Sequence, residues 1–95
     1  MKAKLVLHDK VTESDGGIIE TKVWAVPATK DKPHGYKYSL TYVREGERVL
    51  CYDNAEGKGD HRHYGNDEES YRFASIDKLF EDFYKDLRRI KSHED

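Results

Sequence analysis

The stretch Tyr36-Lys37-Tyr38-Ser39-Leu40-Thr41-Tyr42-Val43-Arg44 decides the fold of this chain. Tyr36, Tyr38, Leu40 and Tyr42 alternate with Lys37, Ser39, Thr41 and Val43, and successive side chains of a strand point to opposite faces. One face is therefore aromatic and aliphatic and the other mostly polar, the period of a half-buried strand. Glu45-Gly46-Glu47 is a tight connection, and Arg48 to Asp53 supplies the hairpin partner.

Toward the N terminus, Lys2 to His8 sets Lys2, Lys4, Val6 and His8 against Ala3, Leu5 and Leu7, which predicts a strand with one buried face. Ser14-Asp15-Gly16-Gly17 reads as a turn, because aspartate and glycine tolerate the backbone angles of a tight reversal. Ile18 to Val26 is rich in β-branched residues around Trp24 and predicts a second strand. Pro27 ends it, having no N–H to donate to a ladder. Thr29 to Gly35 is a polar loop carrying Pro33 and His34.

Toward the C terminus, residues 54–70 contain three glycines and no apolar period and are expected to form a loop, with Tyr71-Arg72-Phe73 as a short edge strand. Ser75 then predicts a helix start, its hydroxyl accepting from a free N–H of the first turn, with Asp77 at the positive helix end. Ile76, Leu79, Phe80, Phe83, Tyr84, Leu87 and Ile90 recur at three- and four-residue steps as one apolar stripe. Arg88, Arg89 and Lys91 sit at the negative end. The expected fold is α+β: an antiparallel sheet of four to five strands, a meander of hairpins, with one C-terminal amphipathic helix on one face. Residues 1–95 are expected to form a single domain.

A chain of 95 residues buries roughly two-thirds of its unfolded surface, so any site is expected to be a shallow groove. Aromatic residues make up 12% of the chain, which argues against disorder despite 38% charged residues. The net charge of −2 excludes the bulk electrostatic footprint of a nucleic-acid binder. The charge is uneven, however: Lys58 to His63 is locally basic, whereas the chain from Asp67 onward is acid-rich. A lone Cys51 excludes an internal disulfide and fits a reducing compartment. No apolar run approaches the ~20 residues of a membrane helix, and Met1-Lys2 opens no signal-peptide stretch. The expectation is a cytoplasmic protein with no membrane partner.

Functional groups concentrate in Gly57-Lys58-Gly59-Asp60-His61-Arg62-His63-Tyr64. His61 and His63 lie two apart, so in an extended segment they point one way and Arg62 the other. Metal-independent RNA cleavage needs a base for the ribose 2′-hydroxyl, an acid for the leaving oxygen and cations beside the phosphorane. Two histidines can supply the first pair. Lys58 and Arg62 can supply the charge, and Asp60 can orient an imidazole. The plain structural alternative is a solvated glycine-rich loop. A metal alternative has His61, His63 and Asp60 as ligands with His34 completing the shell, although His-x-His spacing is not diagnostic. Gly57-Lys58-Gly59 lacks the spacing of a phosphate loop.

His34-Gly35-Tyr36-Lys37-Tyr38 forms a second cluster, in which Tyr36 and Tyr38 can stack bases and Lys37 can meet phosphate. Alternating tyrosines are also ordinary half-buried sheet residues, and Cys51 fits a small buried one. His34 and Tyr64 complete the candidate substrate-binding set.

These clusters, together with Tyr52-Asp53-Asn54, Tyr71-Arg72-Phe73, the opening Met1-Lys2-Ala3-Lys4-Leu5, Asp15-Gly16 and Val23-Trp24, resemble the TumE family over about residues 1–90. Members are small prokaryotic toxins of toxin–antitoxin pairs. The resemblance implies a toxin neutralised by an antitoxin that carries a DNA-binding domain. The reaction is read from the residues and from the habit of small toxins of attacking RNA. The preferred expectation is a metal-independent endoribonuclease without a cofactor, acting on RNA through His61, His63, Asp60, Lys58 and Arg62. The alternatives are a non-catalytic module whose basic loop docks a protein or nucleic acid, and a metal-dependent nuclease built on the same loop. The oligomeric state stays open, a dimer included.

Overall fold

Every strand of the sheet after the first pairs with the strand before it in sequence. The computed structural model describes residues 3–30, 32–54 and 59–93. It contains β1 (Lys4–Thr12), β2 (Ile18–Ala25), β3 (Tyr36–Arg44), β4 (Glu47–Asp53), β5 (His61–Tyr64), β6 (Asp67–Ser70) and helix α1 (Ile76–Ser92). The six strands lie in chain order in one antiparallel sheet, so the α+β class and the meander of hairpins are both present. In the β3–β4 turn, Glu45 and Gly46 both have positive φ, +53° and +79°, the combination whose twist matches the flanking strands.

Six strands exceed the expected four to five. The additional pair, β5 and β6, lies in the stretch expected as loop, and Gly65, with φ +58°, turns the chain between them. Strand β5 needs no apolar alternation because it is held between neighbours: Cys51 faces His63 and Asp53 faces His61 on one side, and Arg62 faces Glu69 on the other. Tyr71-Arg72-Phe73 carries no strand. Its rings pack instead: Phe73 stacks on His34 with ring centroids 3.9 Å apart, and the Tyr71 hydroxyl donates to Asp82 at 2.6 Å.

Helix α1 begins where the sequence places it, with the Ser75 hydroxyl accepting from the Lys78 N–H at 3.0 Å. Leu79, Phe83 and Leu87 of its stripe are buried against Val23, Tyr38, Leu40, Tyr42, Leu50 and Tyr52 of β2, β3 and β4. The helix of 17 residues is about 25 Å long and covers one sheet face. None of the core residues, nor of the half-buried residues packed on them, belongs to β1.

Strand β1 therefore departs from expectation: all nine of its residues are exposed, with Leu5 at 53% and Val6 at 59%. A bulge between Leu5 and Leu7 sets Leu5 beside Trp24 and Leu7 beside Val23, sending its apolar side chains to both faces instead of one. Asn54, fully buried just past β4, extends that strand's pairing by side chain: its Oδ1 accepts from the Tyr38 N–H at 3.0 Å and its Nδ2 donates to the Tyr36 carbonyl at 2.8 Å.

Candidate active site on the open sheet face

Alternation sorts the candidate residues onto two faces of the sheet. Through the cross-strand pairs, Cys51, Asp53, His61, His63 and Glu68 share the face that α1 leaves open. Tyr52, Arg62 and Tyr64 share the helix side.

On the open face the two imidazoles stand 4.9 Å apart between ring centroids, nearly perpendicular at 81°. His61 is buried and fixed at both nitrogens: Nδ1 lies 3.0 Å from the Gly59 carbonyl and Nε2 lies 2.8 Å from Asp53 Oδ1. A ring bearing two N–H groups satisfies both acceptors. The second Asp53 oxygen accepts from the Cys51 thiol at 3.2 Å. Burial, followed by that bond and the Asp53 charge, pushes the thiol up to about 12. His63 is half-buried and makes no hydrogen bond among the described residues. Its burial, the Arg48 cation and the neighbouring His61 all hold it below the usual histidine range. Arg48 thus reaches this face, and it also lines a cleft of about 350 Å³ with Glu47, Gly65 and Asn66, at the turn end of the same hairpins.

The other candidate residues are placed elsewhere. Asp60 orients His34, not His61 or His63: its carboxylate takes the His34 Nε2 at 3.0 Å, while His34 Nδ1 accepts from the Tyr36 N–H at 3.2 Å. With both nitrogens occupied and a face against Phe73, His34 braces the loop before β3 to the start of β5. Arg62 lies on the helix side, on the Glu69 carboxylate, the Tyr52 hydroxyl at 3.1 Å and Asp86 at 3.4 Å. Tyr64 donates to Asp86 at 2.7 Å. Tyr38 is enclosed, its hydroxyl beside the Asp60 carboxylate without a well-formed hydrogen bond, so it offers no surface for stacking a base. Tyr36 is half-buried on the helix side. Lys37 is exposed on the open face, 5.3 Å above the Trp24 ring. Lys58 lies outside the described residues.

The centre therefore comprises Asp53, His61 and His63, with Cys51, Arg48 and Glu68 around it. Asp53 is absent from the candidate set drawn from sequence. Its signal is alternation along β4, which puts residues 51 and 53 on one face; only the pairing of β4 with β5 brings that face to the histidines. The Glu68 carboxylate, 3.8 Å from His61 Nε2, arrives in the same way from β6.

Fold and site together define a small α+β protein with a histidine–carboxylate centre on the uncovered face of its sheet. The family described as Toxin TumE matches residues 2–91, and the chain belongs to that family. Membership of a toxin family implies an antitoxin partner. No curated protein and no solved structure matches the chain. Among the described residues, no helix is long and apolar enough to cross a membrane.

Proposed function

We propose that this toxin is an endoribonuclease that cuts RNA without a metal, through His61 and His63. One observation carries the reading: two imidazoles lie 4.9 Å apart, one with its nitrogens unbonded and the other held by a carboxylate and a carbonyl. His63 takes the proton of the ribose 2′-hydroxyl, and that oxygen attacks phosphorus. The bond from phosphorus to the 5′ oxygen breaks, leaving a 2′,3′-cyclic phosphate. His61 supplies the proton to the departing oxygen by exchanging Asp53 for it at Nε2. Asp53 is a positioning residue that fixes the ring plane. Arg48, on the His63 side, offsets charge on the phosphorane in the role expected of Arg62, which the sheet places on the opposite face. Lys58 remains a second candidate cation. The toxin acts in the cytoplasm, where a reduced Cys51 fits, and is neutralised by an antitoxin carrying a DNA-binding domain.

The test is cleavage of RNA by purified protein in EDTA, with the 3′ ends of the products identified. His61→Ala and His63→Ala should each lose ~10²–10⁴-fold in rate. Arg48→Ala should lose ~10²-fold. Wild-type protein that leaves RNA intact, or histidine variants that cut as fast as wild type, would refute the proposal. Expression in a bacterial host adds an independent measure, since the histidine variants should no longer arrest growth. Arrest that persists in those variants would favour the non-catalytic binding module.

A further inference from the structure

The open-face centre holds donor atoms in an arrangement that proton transfer alone does not require. Asp53, His61 and His63 each offer a ligand atom, and these atoms all lie within 4.8 Å of one another. Zinc binds imidazole nitrogen at about 2.0–2.1 Å and carboxylate oxygen at about 2.0–2.2 Å, so tetrahedral ligand atoms stand about 3.4 Å apart. Asp53 Oδ1 and His61 Nε2 are already 2.8 Å apart. They need to open slightly, and separations that reach up to 4.8 Å need to close toward that value. We propose that Asp53, His61 and His63 form a binding site for a transition-metal dication, with Zn²⁺ as the expected occupant.

The surroundings are those of a metal site. His61 Nδ1 faces the Gly59 carbonyl at 3.0 Å, the outer-shell bond that keeps the Nδ1 proton in place while Nε2 exchanges its own proton for a cation. The Asp53 oxygen that would not bind metal accepts from the Cys51 thiol, so the carboxylate is also oriented from behind. His63 uses neither nitrogen in a hydrogen bond among the described residues. The hard cations Mg²⁺ and Ca²⁺ prefer all-oxygen shells, so two imidazoles with one carboxylate select against them. Three protein ligands leave a fourth position for water. Asp60 and His34, which sequence spacing nominates as ligands, satisfy one another elsewhere. On binding, the dication replaces the proton at His61 Nε2, which leaves to solvent.

The site stands on its geometry, and its effect on cleavage rests on the nuclease reading. Because the cation takes the lone pairs that His61 and His63 would use on protons, the zinc-loaded chain should be inactive as a metal-free nuclease.

The experiment is titration of chelator-stripped full-length protein with Zn²⁺ by calorimetry, with Mg²⁺ as the comparison. Wild type should bind one Zn²⁺ per chain and no Mg²⁺. Asp53→Ala and His63→Ala should each weaken zinc binding at least tenfold while keeping wild-type circular dichroism. Co²⁺ gives a second readout: visible d–d bands should appear in wild type and vanish in His63→Ala. A thiolate-to-cobalt charge-transfer band would overturn the assigned ligand set by putting Cys51 on the metal. Absence of saturable Zn²⁺ binding, or binding unchanged in both variants, would overturn the site. RNA cleavage in EDTA is scored separately. A protein that binds zinc and leaves RNA intact keeps the site and removes the nuclease reading. Zinc-stimulated cleavage keeps the site and removes the metal-free mechanism.

Discussion

Replacing Asp86 should destabilise this protein markedly. Asp86 lies on α1, nearly buried, and its carboxylate accepts from the Tyr52 hydroxyl, the Tyr64 hydroxyl at 2.7 Å, Arg62 at 3.4 Å and Arg89 at 3.2 Å. Hydrogen bonds to a charged group contribute about 1.5–3 kcal/mol each. The Tyr52 bond is enclosed and counts in full. Tyr64 and Arg62 are half-exposed, so water replaces part of what they lose, and the exposed Arg89 pair adds close to nothing. Asp86→Ala should therefore cost about 3 kcal/mol, near the lower end for breaking a buried pair. In a domain of this size that lowers the melting temperature by roughly 15 °C. Asp86→Asn, which keeps one acceptor oxygen, should cost about half as much. The pH dependence supplies the decisive reading. Burial raises the Asp86 carboxyl, but the bonds from Tyr52, Tyr64 and Arg89 and the Arg62 charge outweigh it and hold the group below its usual range. A depressed carboxyl stabilises above its unfolded value of about 3.9 and loses that contribution as pH falls through the lower folded value. Urea unfolding followed by circular dichroism should show the full gap between wild type and Asp86→Ala at pH 7, closing below about pH 4. A variant within ~0.5 kcal/mol of wild type at pH 7 would refute the reasoning, as that is the scatter of ordinary surface changes.

Asn54→Ala should lower stability by about 2–4 kcal/mol, read from the urea midpoint, because it strands the Tyr38 N–H and Tyr36 carbonyl inside the sheet. Cys51 should resist iodoacetamide at pH 8 in the native protein and react only on unfolding, since burial pushes its thiol up to about 12. Gly35→Ala should cost about 1–2 kcal/mol in the same denaturation assay: φ there is +79°, and a Cβ would lie 3.3 Å from the Val26 carbonyl.

Strands with an apolar face and the capped helix were legible because burial imposes a period on sequence. Tyr38, Leu40 and Tyr42 meet Leu79 and Phe83 as the alternation and the helical stripe require. His61 to Tyr64 and Asp67 to Ser70 carry no such period, because ladder bonds and ion pairs hold these strands. The Gly65-Asn66 pair between them was a readable hairpin signal. At the site, the spacing of His61 and His63 correctly put them on one side with Arg62 opposite. Adjacency in sequence was a poorer guide to their partners. Asp60, next to His61, turns to His34, while Asp53 reaches His61 through the β4–β5 ladder. Strand β1 misled for a different reason: its alternation is real, but none of its residues joins the core and the bulge divides its apolar residues between two faces.

Strand β5 links the helix side of the sheet to its open face. Its four residues face two ways, with Arg62 and Tyr64 tied to Asp86 on α1 and His61 and His63 forming the open-face centre. The ribosome makes α1 after β5, so a nascent chain that has just completed β5 still lacks the helix-side partners that hold the strand. Docking of the helix then gives Arg62 and Tyr64 their Asp86 partner, on the strand that also carries His61 and His63.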